Sequence, residues 1–145
     1  MNGSKYDALK LENQLCFPLY AAAREIVKRY RPYLDELDLT YTQYITMMVL
    51  WEQGEITVKA LGEKLFLDSG TMTPVLKSLE TKGYITRKRS TIDERSVSVL
   101  LTDSGEEIKE RAVEIPAKVK NCVGLDINEA IQLYELLYKV LKSNE

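Results

Sequence analysis

The chain has 145 residues, with 20 Lys plus Arg against 22 Asp plus Glu, two Cys and no His, so its formal net charge is −2. Without imidazole, Ser-His-Asp and Cys-His catalysis and His-containing zinc or haem sites are excluded, and two thiols alone cannot complete a zinc tetrahedron; no metal or cofactor is expected. A 45% hydrophobic content at this length fits one globular domain over residues 1–145.

The N-terminal stretch from Met1 to Glu12 is polar, and no apolar run approaches the ~18 residues of a membrane span, so a cytoplasmic protein without a membrane partner is expected. Thiols stay reduced there. Cys16 and Cys122 are therefore core filler or redox-active residues rather than a disulfide framework.

From Leu9 to about Leu37 the residues Leu11, Leu15, Leu19, Ala22, Ala23, Ile26, Val27 and Tyr30 recur at helical steps and predict one long amphipathic helix. Pro18 sits inside it, removes the bond to the carbonyl of Gln14, and predicts a kink beside Cys16. Thr42 to Trp51 is largely apolar and predicts a buried central helix ended by Gly54. A short helix follows from about Thr57 to Phe66, then the turn Leu67-Asp68-Ser69-Gly70, then a second helix. Its start is open between Asp68 or Ser69 as cap and Thr73 as cap with Pro74 at the first helical position. Its end is marked by Lys82 and Gly83. Two short helices around a tight turn outline a helix-turn-helix.

At Tyr84 the period changes. Tyr84 to Arg89 leads through a polar loop into the β-branched alternation of Ser96 to Leu101, which predicts a hairpin. Thr102 and Asp103 can cap a following helix that carries Ile108, Ala112, Ile115, Val119 and Cys122 and is interrupted by Pro116; Pro18 and Pro116 are candidate points where helices yield. A last helix opens with the capping pair Asp126 and Glu129 and presents Ile131, Tyr134, Leu137 and Leu141. The expected class is mainly α with a small β-hairpin wing: a winged helix-turn-helix lobe over residues 42–101, flanked by helices over 9–37 and 106–145. Those flanking helices either dimerise or cover the core of a monomer.

The total charge hides a local one. From Lys77 to Arg95 there are six basic residues (Lys77, Lys82, Arg87, Lys88, Arg89, Arg95) and three acidic ones (Glu80, Asp93, Glu94), a local +3 that leaves −5 for the rest. A basic hairpin behind a helix-turn-helix is the electrostatic outline of a double-stranded DNA binder, whereas a hairpin that is basic by chance is the bland alternative. Ser69, Thr71 and Thr73 can donate to phosphates or base edges, Lys77 and Lys82 suit the phosphate backbone, and Arg87 and Arg89 lie on the wing. Arg95 is the candidate for the minor groove, with Asp93 either steering it or serving as an ordinary turn residue.

Nine of the twelve aromatic residues are Tyr. Tyr20 lies one helical turn from Cys16 and shares its face. Tyr30 lies fourteen residues on, so contact with Cys16 would need a bend, another segment or a second subunit. With no His available, a thiolate would draw on hydroxyl donors, backbone N–H groups or a helix end. Taken alone, both cysteines read as small buried hydrophobes and the tyrosines as core or interface residues.

The stretch from Met72 to Arg95, with Leu101 to Gly105, resembles the helix-to-wing signature of MarR-type winged-helix regulators. Leu11 to Tyr20, Leu39 to Tyr44 and Leu67 to Pro74 resemble, more narrowly, the OhrR subgroup of organic hydroperoxide resistance repressors. The resemblance implies a homodimeric repressor, not an enzyme, that binds a pseudo-palindromic operator in double-stranded DNA and lets go when an organic hydroperoxide oxidises its N-terminal cysteine. By position, Cys16 matches the reactive cysteine, Tyr30 and Tyr41 match the tyrosines that hydrogen-bond its thiolate, and Tyr20 matches one reaching in from the other subunit. Asp93 and Arg95 match the wing-tip pair, and Ser69, Thr71 and Thr73 fall in the recognition helix. Cys122 lies where two-cysteine members carry a resolving cysteine, which implies an intersubunit Cys16–Cys122 disulfide. The alternatives are a MarR-type repressor released by a small phenolic ligand, a thiol peroxidase, and a winged-helix module with a protein partner.

Overall fold

The computed structural model describes residues 3–89 and 95–143. Two 3-10 turns, Lys5–Leu9 and Leu11–Asn13, lead into α1 (Cys16–Asp35) and α2 (Tyr41–Gln53). Then come β1 (Glu55–Thr57), α3 (Val58–Leu65), α4 (Ser69–Thr81), β2 (Ile85–Arg89) and β3 (Val97–Leu101). The short helices α5 (Asp103–Glu107), α6 (Lys109–Ala112) and α7 (Ile115–Lys118) precede α8 (Ile127–Ser143).

The long first helix expected from Leu9 begins only at Cys16. Ahead of it the Gln14 amide donates to the carbonyls of Ala8 and Lys10, and Asn13 donates to that of Asp7, so side chains close tight turns in place of a helical ladder. Pro18 consequently falls in the first turn of α1, where its missing N–H would have had no helical acceptor, and the expected kink has no cause there. Pro32 is the proline that lies inside the helix.

Thr40 and Gln43 form a complete capping box at the head of α2, and Gly54 ends that helix with φ of 78°. The apolar sequence of α2 suits its place: Met47 and Leu50 are fully buried together with Leu61 of α3 and Met72, Leu76 and Leu79 of α4. Asp68 settles the start of α4, its carboxylate accepting from the Thr71 N–H at 2.8 Å. Pro74 lies inside α4 rather than at its first position.

β1 is too short to announce itself in sequence. It pairs antiparallel with β3, Ile56 opposite Val99, and gives a three-stranded sheet of order β1-β3-β2 where a two-stranded hairpin was expected. The helix expected after Thr102 is a staircase of three short pieces, and Pro116 stands in the opening turn of the third. Trp51 of α2 donates its indole N–H to the carbonyl of Gly105 at 2.9 Å. A side chain at Gly105 would collide with the carbonyl oxygen of Tyr84, so only glycine lets α5 pack this close.

The two ends of the chain contribute little to this core. No residue of α8 is buried, and Ile127, Ile131, Tyr134 and Leu136 of that helix stand exposed, as do Leu9, Leu11 and Leu15 near the N-terminus. Among the described residues no helix is long and apolar enough to cross a membrane.

Candidate functional site

Ser69, Thr73 and Lys77 follow one another at intervals of four along α4, so they share a face, and all three are exposed. Thr71 is also exposed but lies off that stripe and belongs to the Asp68 cap: its N–H and its hydroxyl both hold the Asp68 carboxylate below the usual range. The hydroxyl of Thr73 donates to the carbonyl of Ser69 at 2.8 Å, which spends its proton inside the helix and leaves its oxygen as an acceptor. Thr73 was expected to donate outward; in this arrangement it is suited to accept.

Two of the cations expected at DNA are engaged elsewhere. Arg87 faces Glu80 across the junction of α4 and β2, Nη2 to Oε1 at 3.1 Å and Nε to Oε2 at 3.4 Å. This contact is the main reason the Glu80 carboxyl lies below its usual range. Arg87 therefore ties the wing to the helix that precedes it. Lys82 turns inward: its ammonium donates to the Asp38 carbonyl and to Gln43 Oε1 at 2.9 Å. Lys77, Lys88, Arg89 and Arg95 remain exposed along α4 and the wing. Asp93 lies outside the described residues. Between α3, α4 and the wing runs an open groove of about 1020 Å³, lined by Val58, Phe66, Leu67, Thr73, Leu76 and Arg87 among others.

Cys16 is the first residue of α1 and is exposed. Tyr20 stands one turn on, 62% exposed, with the Arg24 guanidinium 5.3 Å from its ring centre. Tyr30, Tyr41 and Tyr44 form a separate cluster, with ring centres 5.1 Å (Tyr30–Tyr41), 6.0 Å (Tyr30–Tyr44) and 6.2 Å (Tyr41–Tyr44) apart. Cys122, half-buried, packs beside it. Burial, then the neighbouring Tyr41, Cys122 and Tyr44, push the Tyr30 hydroxyl up to about 12; burial and then Cys122 raise Tyr41, and burial and then Tyr41 raise Tyr44.

Fourteen residues of helix at 1.5 Å each separate Cys16 from Tyr30, about 21 Å. Within one chain, then, Cys16 reaches neither Tyr30 nor Tyr41 nor Cys122. Within the chain Tyr20 is the near tyrosine and the Tyr30–Tyr41 pair the remote one, so Tyr30 and Tyr41 do not bond the thiolate of their own chain, whereas the expectation brought only Tyr20 from the other subunit. Tyr44 was overlooked in the sequence, although its three-residue spacing from Tyr41 at the head of a helix was the available signal.

The family described as transcriptional regulator SarA/Rot matches residues 28–112. Over 140 residues the chain is 50% identical to the organic hydroperoxide resistance transcriptional regulator of Bacillus subtilis (strain 168), an alignment covering 97% of this chain and 95% of that protein. Among solved structures, reduced AbfR bound to DNA aligns with a TM-score of 0.76 at 34% identity, covering 97% of this chain and 98% of that one. Disulfide-formed AbfR aligns at 0.66, also at 34% identity, covering 96% and 95%. Wild-type MarR of E. coli, in its apo form, aligns at 0.64 and 28% identity, covering 88% and 97%.

Proposed function

The chain belongs to the MarR family of winged-helix DNA-binding transcriptional regulators, in its organic hydroperoxide resistance subgroup, and is not an enzyme; from that premise we propose a dimeric repressor that releases a pseudo-palindromic operator when an organic hydroperoxide oxidises Cys16. Ser69, Thr73, Lys77, Arg89 and Arg95 are the residues offered to DNA. The apolar surfaces of α8 and of the N-terminal segment are the dimer contact.

The observation that carries the redox reading is the separation of the two halves of the thiol site. Cys16 stands at one end of α1, and a cluster of tyrosines with a second thiol stands about 21 Å away. Among the described residues the Tyr30 and Tyr41 hydroxyls have no hydrogen-bond partner. Two chains packed in antiparallel fashion along α1 bring Cys16 of one against Tyr30, Tyr41 and Cys122 of the partner subunit. The tyrosine hydroxyls then donate to the Cys16 thiolate.

The thiolate attacks the peroxide oxygen, the S–O bond forms as the O–O bond breaks, and the alkoxide leaves as the alcohol after taking a proton. The thiolate of Cys122 from the partner then attacks the sulfenic sulfur: the S–S bond forms as the S–O bond breaks, and the hydroxide leaves as water after taking a proton. Operator release follows if oxidation favours a DNA-incompetent arrangement of the two reading helices by a few kcal/mol.

Cys16→Ser should bind operator as wild type does and keep binding in cumene hydroperoxide; release by that variant overturns the reading. Non-reducing mass analysis after peroxide should give a covalent dimer for wild type and none for Cys122→Ser. The open groove beside α4 favours a second reading, release by a small phenolic ligand. Salicylate-like compounds that displace DNA under reducing conditions, and equally from Cys16→Ser, would establish it.

A further inference from the structure

Three consecutive carbonyls at the α1–α2 turn are each gripped by a side chain from elsewhere in the fold. Arg111 of α6 donates to the Glu36 carbonyl at 2.8 Å, the Tyr84 hydroxyl donates to that of Leu37 at 3.0 Å, and the Lys82 ammonium donates to that of Asp38. The first of these is the C-cap carbonyl of α1, one of those a helix leaves without a partner, and the other two lie in the turn beyond it; two of the three donors come from the residues just after α4. Lys82 also donates to Gln43 Oε1 at 2.9 Å. Gln43, only 5% exposed, in turn donates from Nε2 to the Ser78 hydroxyl at 3.0 Å and accepts from the Thr40 N–H at 3.0 Å.

Gln43 stands in the first turn of α2 between Tyr41 and Tyr44, so one helical turn presents two rings to the tyrosine cluster and an amide to the back of α4. We propose that Gln43, Ser78 and Lys82 are positioning residues that carry the state of the tyrosine cluster to the recognition helix, through a joint made of the α1–α2 turn and the C-terminal end of α4. The inference rests on the redox reading above for what moves the cluster.

The physical reason is the cost of leaving a buried amide without its partners. Gln43 is the buried member, so displacing it away from Ser78 and Lys82 leaves its amide groups unsatisfied where water reaches poorly, which favours movement of the three together. Ser69 and Lys82 are thirteen residues apart, about 20 Å of helix. A displacement at the Lys82 end therefore re-aims the Ser69, Thr73 and Lys77 stripe at the other.

The test uses Ser78→Ala/Lys82→Met, which leaves the Thr40–Gln43 capping box intact, and Gln43→Glu, whose carboxylate still accepts from Thr40 and Lys82. Operator affinity is measured by anisotropy before and after cumene hydroperoxide, with covalent dimer formation followed by non-reducing mass. The double variant should bind operator within about threefold of wild type when reduced and should form the disulfide normally, yet lose at least fivefold of the affinity difference that oxidation produces. Gln43→Glu should keep most of that difference. A double variant that responds to peroxide as wild type does overturns the proposal.

A second readout does not depend on release. In a Cys122→Ser background, the rate of Cys16 alkylation by iodoacetamide is compared with and without operator, because coupling between two sites is reciprocal. DNA should change that rate in the parent and not in the double variant. No change in the parent, or the same change in both, also overturns the joint. If wild type keeps its operator after oxidation, the redox reading fails, and the alkylation rates alone decide the joint.

Discussion

The Glu80 carboxylate closes on Arg87 twice over, meeting the guanidinium Nη2 at 3.1 Å and the Arg87 backbone N–H at 3.2 Å. One residue near the end of the recognition helix thus fixes both the side chain and the main chain of the first long wing strand. The pair is partly exposed and screened by solvent, so it contributes little to global stability. Its importance is orientation.

Because Arg87 is already engaged, its loss should hardly alter the ionic-strength dependence of DNA binding. Lys77→Gln and Arg89→Gln should each flatten the plot of log affinity against log salt by about 0.9 per phosphate contact removed, and Arg87→Gln by much less. Titration of operator at several salt concentrations checks this, and an Arg87→Gln slope change equal to that of Lys77→Gln contradicts it. The Glu80 carboxyl lies below its usual value, so the contact is fully present above the ordinary carboxylate range and is lost as pH falls through the lowered one. Carboxyl-carbon NMR should show Glu80 titrating at lower pH in wild type than in Arg87→Gln.

Tyr30→Phe and Tyr41→Phe should each slow the reaction of Cys16 with cumene hydroperoxide by about tenfold, the worth of one hydrogen bond to a charged group. Stopped-flow consumption of the thiol gives the rates. Equal rates for Tyr30→Phe and wild type would remove Tyr30 from the thiolate site.

The Tyr30 hydroxyl, pushed up to about 12, holds its proton in the fold after the unfolded chain, near pH 10, has lost its own. The stability linked to it is therefore complete below about pH 10 and disappears as pH rises through about 12. Tyrosinate absorbance on an alkaline titration should show a late step that Tyr30→Phe abolishes.

Leu50→Ala, at a fully buried position of α2, should cost about 2–5 kcal/mol on thermal or urea unfolding. Gly105→Ala should destabilise as well, by about 1–3 kcal/mol, because its methyl meets the Tyr84 carbonyl oxygen. Trp51, the single tryptophan, donates to the Gly105 carbonyl, so its fluorescence should report the Gly105 change directly.

Local chemistry explains which parts of the molecule the sequence disclosed. The helix-turn-helix, the end of α4 at Lys82 and the Asp126–Glu129 box are written in caps and periodicity, whose causes lie within a few residues of their effects. β1 exists only because β3, some forty residues on, offers it a ladder. The engagement of Arg87 by Glu80 and of Lys82 by Asp38 and Gln43 depends on tertiary approach, and charge counting ranks all cations alike. In α1, residue spacing correctly put Cys16 and Tyr30 out of reach of each other. It could not show that Tyr44 and Cys122 gather where Tyr30 is.

The short strand β1 has a consequence for the choice of operator. It makes β3 the middle strand of the sheet; β1 runs straight into α3 while Glu80 holds β2 to α4, so the described wing strands are tied to both helices of the helix-turn-helix. Reading helix and wing strands thus move as one part. A single base pair inserted between half-sites shifts one by about 3.4 Å along the duplex and rotates it by about a tenth of a turn, and strands tied to α4 follow the helix rather than absorb that displacement separately. Such a protein should tell operators apart by the spacing of their halves as sharply as by their letters.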